Sequence, residues 1–121
     1  IRIGGNLISY RDEITPNKHV ENAFDGNIYV LTSQYTFSSA MDFATVIQDN
    51  GIGKVIGETP GNMPTAYGDN LSFQLPESKL VLSVSYKKFY RADMTKSIEP
   101  LIPDYTVDAD KAEEKLVEYI K

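Results

Sequence analysis

Ile28-Tyr29-Val30-Leu31-Thr32 is a near-continuous run of aliphatic, aromatic and β-branched residues. Such a run predicts a strand of the parallel-sheet type, covered on both faces. From Thr36 to Asn50 the period changes. Ala40, Phe43, Ala44 and Ile47 recur at i, i+3, i+4 and i+7, which is one face of a helix. Thr36 is placed to cap that helix, and Asn50-Gly51 to stop it. Lys54-Val55-Ile56-Gly57 reads as a second short strand, so strand, helix and strand make a βαβ unit. Glu58 to Asp69 holds two prolines and two glycines and reads as a loop. The period then becomes two. Leu71, Phe73 and Leu75 alternate, as do Leu80, Leu82, Val84 and Tyr86, with Pro76-Glu77-Ser78-Lys79 as the turn. This predicts a β-hairpin with one buried face.

The remainder is less patterned. Residues 92–107 read as loop with a short extended piece at Tyr105-Thr106-Val107. Asp110, followed by Glu113, starts a last helix with Ala112, Leu116, Val117 and Ile120 on one stripe. Near the start, Ile1 to Ile3 and the group Leu7, Ile8 and Tyr10 suggest short strands around a Gly4-Gly5-Asn6 turn. Arg11 to Asn27 is polar, and no glycine spacing resembles a phosphate loop. The expected class is α/β, a βαβ unit with an added antiparallel hairpin, within a single domain over residues 1–121.

Composition removes several chemistries. Cysteine is absent and histidine occurs once, at His19, which excludes disulfides, thiolate catalysis and multi-His metal sites. The net charge of −5 argues against nucleic acid as a partner. No apolar run approaches the ~18 residues of a membrane span.

The chemistry concentrates after the first buried strand, at Thr36-Phe37-Ser38-Ser39-Ala40. A hydroxyl in the first turn of a helix faces unpaired N–H groups and the positive end of the helix dipole. Both stabilise developing negative charge at an oxyanion. The simplest alternative is that these residues merely cap the helix. Other features have plain explanations. Tyr86 to Arg91 mixes aromatics and bases and reads as a half-exposed strand. Asp42 and Asp49 share a helix face that reads as solvated. Asn62 is explained by turn chemistry as well as by orienting a substrate or base, and His19 reads as a surface residue.

From Gly26 to Val107 the order of motifs resembles the C-terminal part of the catalytic domain of S41 serine peptidases, the carboxyl-terminal processing protease and tricorn family. In that family a buried strand leads to a T-x-S-A type helix start, and the helix ends in Q-D-x-G. A strand ending in V-x-G-E, a Gly-rich loop, a hairpin and a segment ending in P-D follow. Here these are Thr36-Phe37-Ser38-Ser39-Ala40, Gln48-Asp49-Asn50-Gly51, Val55-Ile56-Gly57-Glu58, Gly61, and Ile98 to Asp104. The resemblance implies a ClpP/crotonase-like core and serine endopeptidase activity on polypeptides. It implies Ser38 as nucleophile, the Ser39 backbone N–H as oxyanion donor and Glu99 as an assisting acid. It implies no metal and no cofactor. It also implies a place at the bacterial cell envelope or outside the cell, though zero cysteines fits a cytoplasm too.

The chain departs from the family pattern at the base. The processing-protease lysine aligns with Met63, and Thr59 to Asp69 contains no lysine. Lys54, Lys87 and Lys88 do not match that position. The tricorn-like branch takes its histidine from far upstream, and His19 does not match it. The upstream Gly-rich strand is also missing. The expectation is therefore a C-terminal portion of a larger catalytic domain, inactive alone, with the base and second oxyanion donor supplied from upstream. Two other readings stand beside this one: a non-catalytic peptide- or protein-binding relative, and a crotonase-type enzyme acting on acyl thioesters.

Overall fold

Strand β1, Tyr29–Thr32, and strand β2, Lys54–Gly57, lie side by side and parallel, with Val30 opposite Val55 and Thr32 opposite Gly57. In this computed structural model, which describes residues 8, 9 and 20–120, helix α1, Ser39–Asp49, connects the two strands. The expected βαβ unit is therefore present. Strand β5, Tyr105–Thr106, adds to the other side of β2, giving the sheet order β1-β2-β5. The extended piece near residue 105 is thus a sheet member. The expected strands before residue 11 and the reading of His19 lie outside the described residues, Ile8 apart.

Helix α1 ends as its sequence specifies. Gly51 adopts φ +64°, and the Ile52 N–H reaches back to the Ile47 carbonyl at 2.9 Å. That is a Schellman stop, which needs a residue tolerant of positive φ. Its buried face differs from the expected one. Met41, Ala44, Thr45 and Ile47 are buried, whereas Ala40 and Phe43 are exposed. Ala44 and Ile47 are common to the expected and the observed face, and Met41 and Thr45 take the places of Ala40 and Phe43. Thr45 is the polar member of the buried face. The Thr45 hydroxyl donates to the Met41 carbonyl at 2.9 Å and so enters the core without a desolvation penalty. The centre of the core is Ala44, Val55 and Leu101, with Val30 packed against them.

Strands β3, Ala66–Gln74, and β4, Val81–Phe89, form the antiparallel hairpin, with Leu71 opposite Val84 and Phe73 opposite Leu82. Strand β3 begins inside the stretch expected to be loop, because Gly68, Asp69 and Asn70 interrupt its apolar alternation. One face is apolar, while Asn70–Ser85 and Ser72–Ser83 hydrogen bonds line the other. The apolar face is not buried, contrary to expectation: Phe73 is 54% and Val84 53% exposed. Alternation identifies which face is apolar and is silent on what covers it. The last helix, α2, spans Ala112–Ile120 after a 3-10 turn at Ala109–Lys111. Ala112 is buried, but Val117 and Ile120 of the expected stripe are exposed. No described helix is long and apolar enough to cross a membrane.

Candidate active site

Thr32, Gly57 and Thr106 sit in one row at the carboxyl ends of the three parallel strands. Crevices outside that edge are where open α/β sheets bind ligands. The chain leaves β1 there and enters a tight turn. The Ser33 N–H donates to Thr36 Oγ1 at 2.9 Å, the Thr36 N–H to the Ser33 carbonyl at 2.9 Å, and the Tyr35 N–H to Ser33 Oγ at 3.1 Å. Thr36 is thus committed to this turn and is not the helix cap. The residue at the cap position is Ser38.

Ser38 has φ +52° and ψ −125°, a conformation that L-residues rarely adopt. Such strain costs about 1–3 kcal/mol and persists only where the surroundings enforce it, most often at functional sites. Its hydroxyl makes no capping hydrogen bond, and the residue is exposed. The simple explanation of Ser38 as a capping residue therefore does not hold. Ser39 begins α1, so the Ser39 N–H lies at the positive end of the helix beside Ser38.

The loop after β2 wraps this turn. The Glu58 N–H donates to the Thr32 carbonyl at 3.0 Å, and Thr32 Oγ1 donates to the Glu58 carbonyl at 2.8 Å. The Glu58 carboxylate accepts from the Gln34 N–H at 2.9 Å. A Cβ at Gly57, where φ is +126°, would lie 2.0 Å from the Thr32 carbonyl oxygen, and one at Gly61 would lie 2.4 Å from that of Gln34. Only glycine allows backbone to meet backbone this closely. Asn62 follows, with its Oδ1 buried and unpartnered among the described residues.

Glu99 lies elsewhere. Its carbonyl, with that of Pro100, accepts from Arg91 Nη1 at 3.2 Å, and the same guanidinium holds Asp49, the last residue of α1. Glu99 borders a shallow depression with Gln48, Lys96 and Asp104. Ser38 and this depression are at opposite ends of a helix about 16 Å long. The structure brings Ser38 and Ser39 together and does not bring Glu99 to them. Asp49, read as solvated from its spacing, is sealed by Arg91, its side chain 1% exposed.

Asp104 occupies that far edge too. It accepts from the Val55 N–H at 2.9 Å and Gln48 Nε2 at 3.0 Å, and pairs with Lys54 at 2.9 Å. The remaining lysines named above face other partners: Lys87 pairs with Asp69 at 3.4 Å, and Lys88 lies over the Tyr90 ring at 5.0 Å. Met63 is partly exposed and offers no proton acceptor. No cluster of His, Cys, Asp or Glu able to hold a metal occurs among the described residues.

The family model of peptidase family S41 matches residues 4–107. No curated protein matches the chain.

Proposed function

The chain belongs to peptidase family S41, a family of hydrolases acting on polypeptides, and on that premise we propose that it carries the nucleophile of a serine endopeptidase. The observation that carries this reading is Ser38, strained at positive φ with a hydroxyl that caps nothing. In this reading Ser38 Oγ attacks the scissile carbonyl and passes its proton to a base. The tetrahedral oxyanion accepts hydrogen bonds from the Ser39 N–H and from a second N–H supplied by upstream sequence. Collapse expels the amine, which takes the proton back from the base, and leaves an acyl-enzyme ester on Ser38. Water then hydrolyses the ester. One lost oxyanion donor typically costs about 10²–10³ in rate.

The base in this reading is a histidine from upstream sequence, because Met63 stands at the family's lysine position. In the same reading the chain is the C-terminal portion of a ClpP/crotonase-like catalytic domain, inactive alone, and the resemblance puts the whole protein at the bacterial cell envelope or outside the cell. Glu99, implied as an assisting acid by the resemblance, has no part in this mechanism because it sits at the far end of α1. The test is degradation of unfolded casein by the full-length protein and by its Ser38→Ala variant. Loss of cleavage in the variant supports the reading. Met63 favours one competing reading, a relative that only binds peptides. Casein binding without cleavage by the unmodified protein would establish that alternative.

A further inference from the structure

We infer that Glu58 is a positioning residue for Ser38, acting through the turn that connects β1 to α1. The inference rests on the reading of Ser38 as nucleophile. Glu58 grips the exit of β1 with its backbone, through two hydrogen bonds to Thr32. Its carboxylate reaches one loop further. Oε2 accepts from the Gln34 N–H at 2.9 Å, and Oε1 from the Ala109 N–H at 3.4 Å. A single side chain therefore ties the turn before the nucleophile to the turn before α2.

The chemistry suits a carboxylate. Both partners are N–H donors, so both side-chain atoms must accept, and hydrogen bonds to an ionised acceptor are the stronger kind. A Gln can keep the short Gln34 contact with its amide oxygen and gives up only the longer one to Ala109. The mechanical link to Ser38 is short. From Gln34 the backbone runs through Tyr35, Thr36 and Phe37, and the Ser33–Thr36 hydrogen bonds make that stretch one rigid turn. The close packing of Gly57 and Gly61 on the Thr32 and Gln34 carbonyls backs it from behind. A strained residue holds its conformation only while its neighbours over-determine it. The Glu58 carboxylate is the removable part of that constraint.

The test is the kinetics of fluorophosphonate labelling of the full-length protein, with kinact and KI determined separately for the unmodified protein and for Glu58→Ala, Glu58→Gln and Ser38→Ala. In Glu58→Ala, kinact is expected to fall about 10- to 100-fold, the scale set by misplacing a reacting group by about an ångström. KI should stay within about twofold, because binding of the probe does not need the strained geometry. Glu58→Gln, which preserves volume and one acceptor, should recover most of the loss. A merely structural role would instead lower the fraction of protein that labels and leave kinact of the folded remainder unchanged; that result overturns the inference. So does a Glu58→Gln variant as slow as Glu58→Ala. If Ser38→Ala labels as fast as the unmodified protein, the nucleophile reading itself falls and the role of Glu58 falls with it.

Discussion

Arg91 and Asp49 meet in a buried, two-pronged ion pair. Arg91 Nη2 and Nε lie 2.8 and 2.9 Å from the two Asp49 oxygens, and the side chains are 3% and 1% exposed. The remaining guanidinium nitrogen donates to the carbonyls of Glu99 and Pro100 at 3.2 Å. The pair joins the end of α1, the exit of the hairpin and the segment before β5. Removing one partner of such a pair leaves an uncompensated buried charge, at a cost of about 3–5 kcal/mol. Arg91→Ala should lower unfolding free energy by that amount in a urea titration. Arg91→Lys should not restore it, because an ammonium is a single point of charge and lacks the planar fork that reaches both Asp49 oxygens and, from another nitrogen, the two carbonyls.

Acid should weaken this same end of the molecule. Burial pushes the Asp49 carboxyl up, but hydrogen bonds from Arg91 and the Asp93 N–H outweigh it and hold the pKa below the ordinary 3.8. Asp104 behaves alike: burial raises it, and the Val55 N–H, Gln48 and Lys54 together bring it below 3.8. A folded pKa below the unfolded one adds stability that is complete above the unfolded value. That stability is lost as pH falls through the folded value. The thermal midpoint should therefore be flat between about pH 7 and pH 5 and drop below about pH 4. Asp104→Asn should be less stable at neutral pH and show a shallower drop, as measured by calorimetry.

Strain at Ser38 makes a prediction that separates stability from chemistry. Glycine tolerates φ +52° without the clash of a Cβ. Ser38→Gly should gain about 1 kcal/mol of stability, the lower end of the strain such backbones store, while losing all labelling. Ser38→Ala keeps the Cβ and should gain nothing. Equal denaturation midpoints for the two variants would show that the site stores no strain.

Glu99→Gln tests the far end of α1. With the Glu99 side chain remote from Ser38, full-length protein carrying this change should cleave casein within about twofold of the unmodified rate, as expected of an exposed site. A loss of 100-fold or so, the scale of a removed catalytic acid or base, would place Glu99 at the site after all.

The local signals in the sequence were faithful where the chain makes its own contacts. The β-branched run at Tyr29–Thr32, the strand at Lys54–Gly57 and the Asn50-Gly51 stop are all where the pattern puts them. Leu71, Phe73, Leu82 and Val84 share one face of the hairpin, as alternation requires. What stayed hidden depends on partners distant in the chain. Asp49 looks like a solvated acid until Arg91, 42 residues on, closes over it. Gln48 is likewise held by the Ile102 carbonyl and Asp104, 54 and 56 residues on. The serine pair was legible as a motif. Its strained backbone was not, because serine at a helix start normally signals a cap.

The most direct measurement locates the adduct. The full-length protein is reacted with a fluorophosphonate, digested and sequenced by mass spectrometry, with Ser38→Ala in parallel. The expected result is a single phosphonylated residue, Ser38, and no adduct in the variant. A folded protein that takes up no probe, or takes it up elsewhere and equally in Ser38→Ala, would rule out Ser38 as the nucleophile.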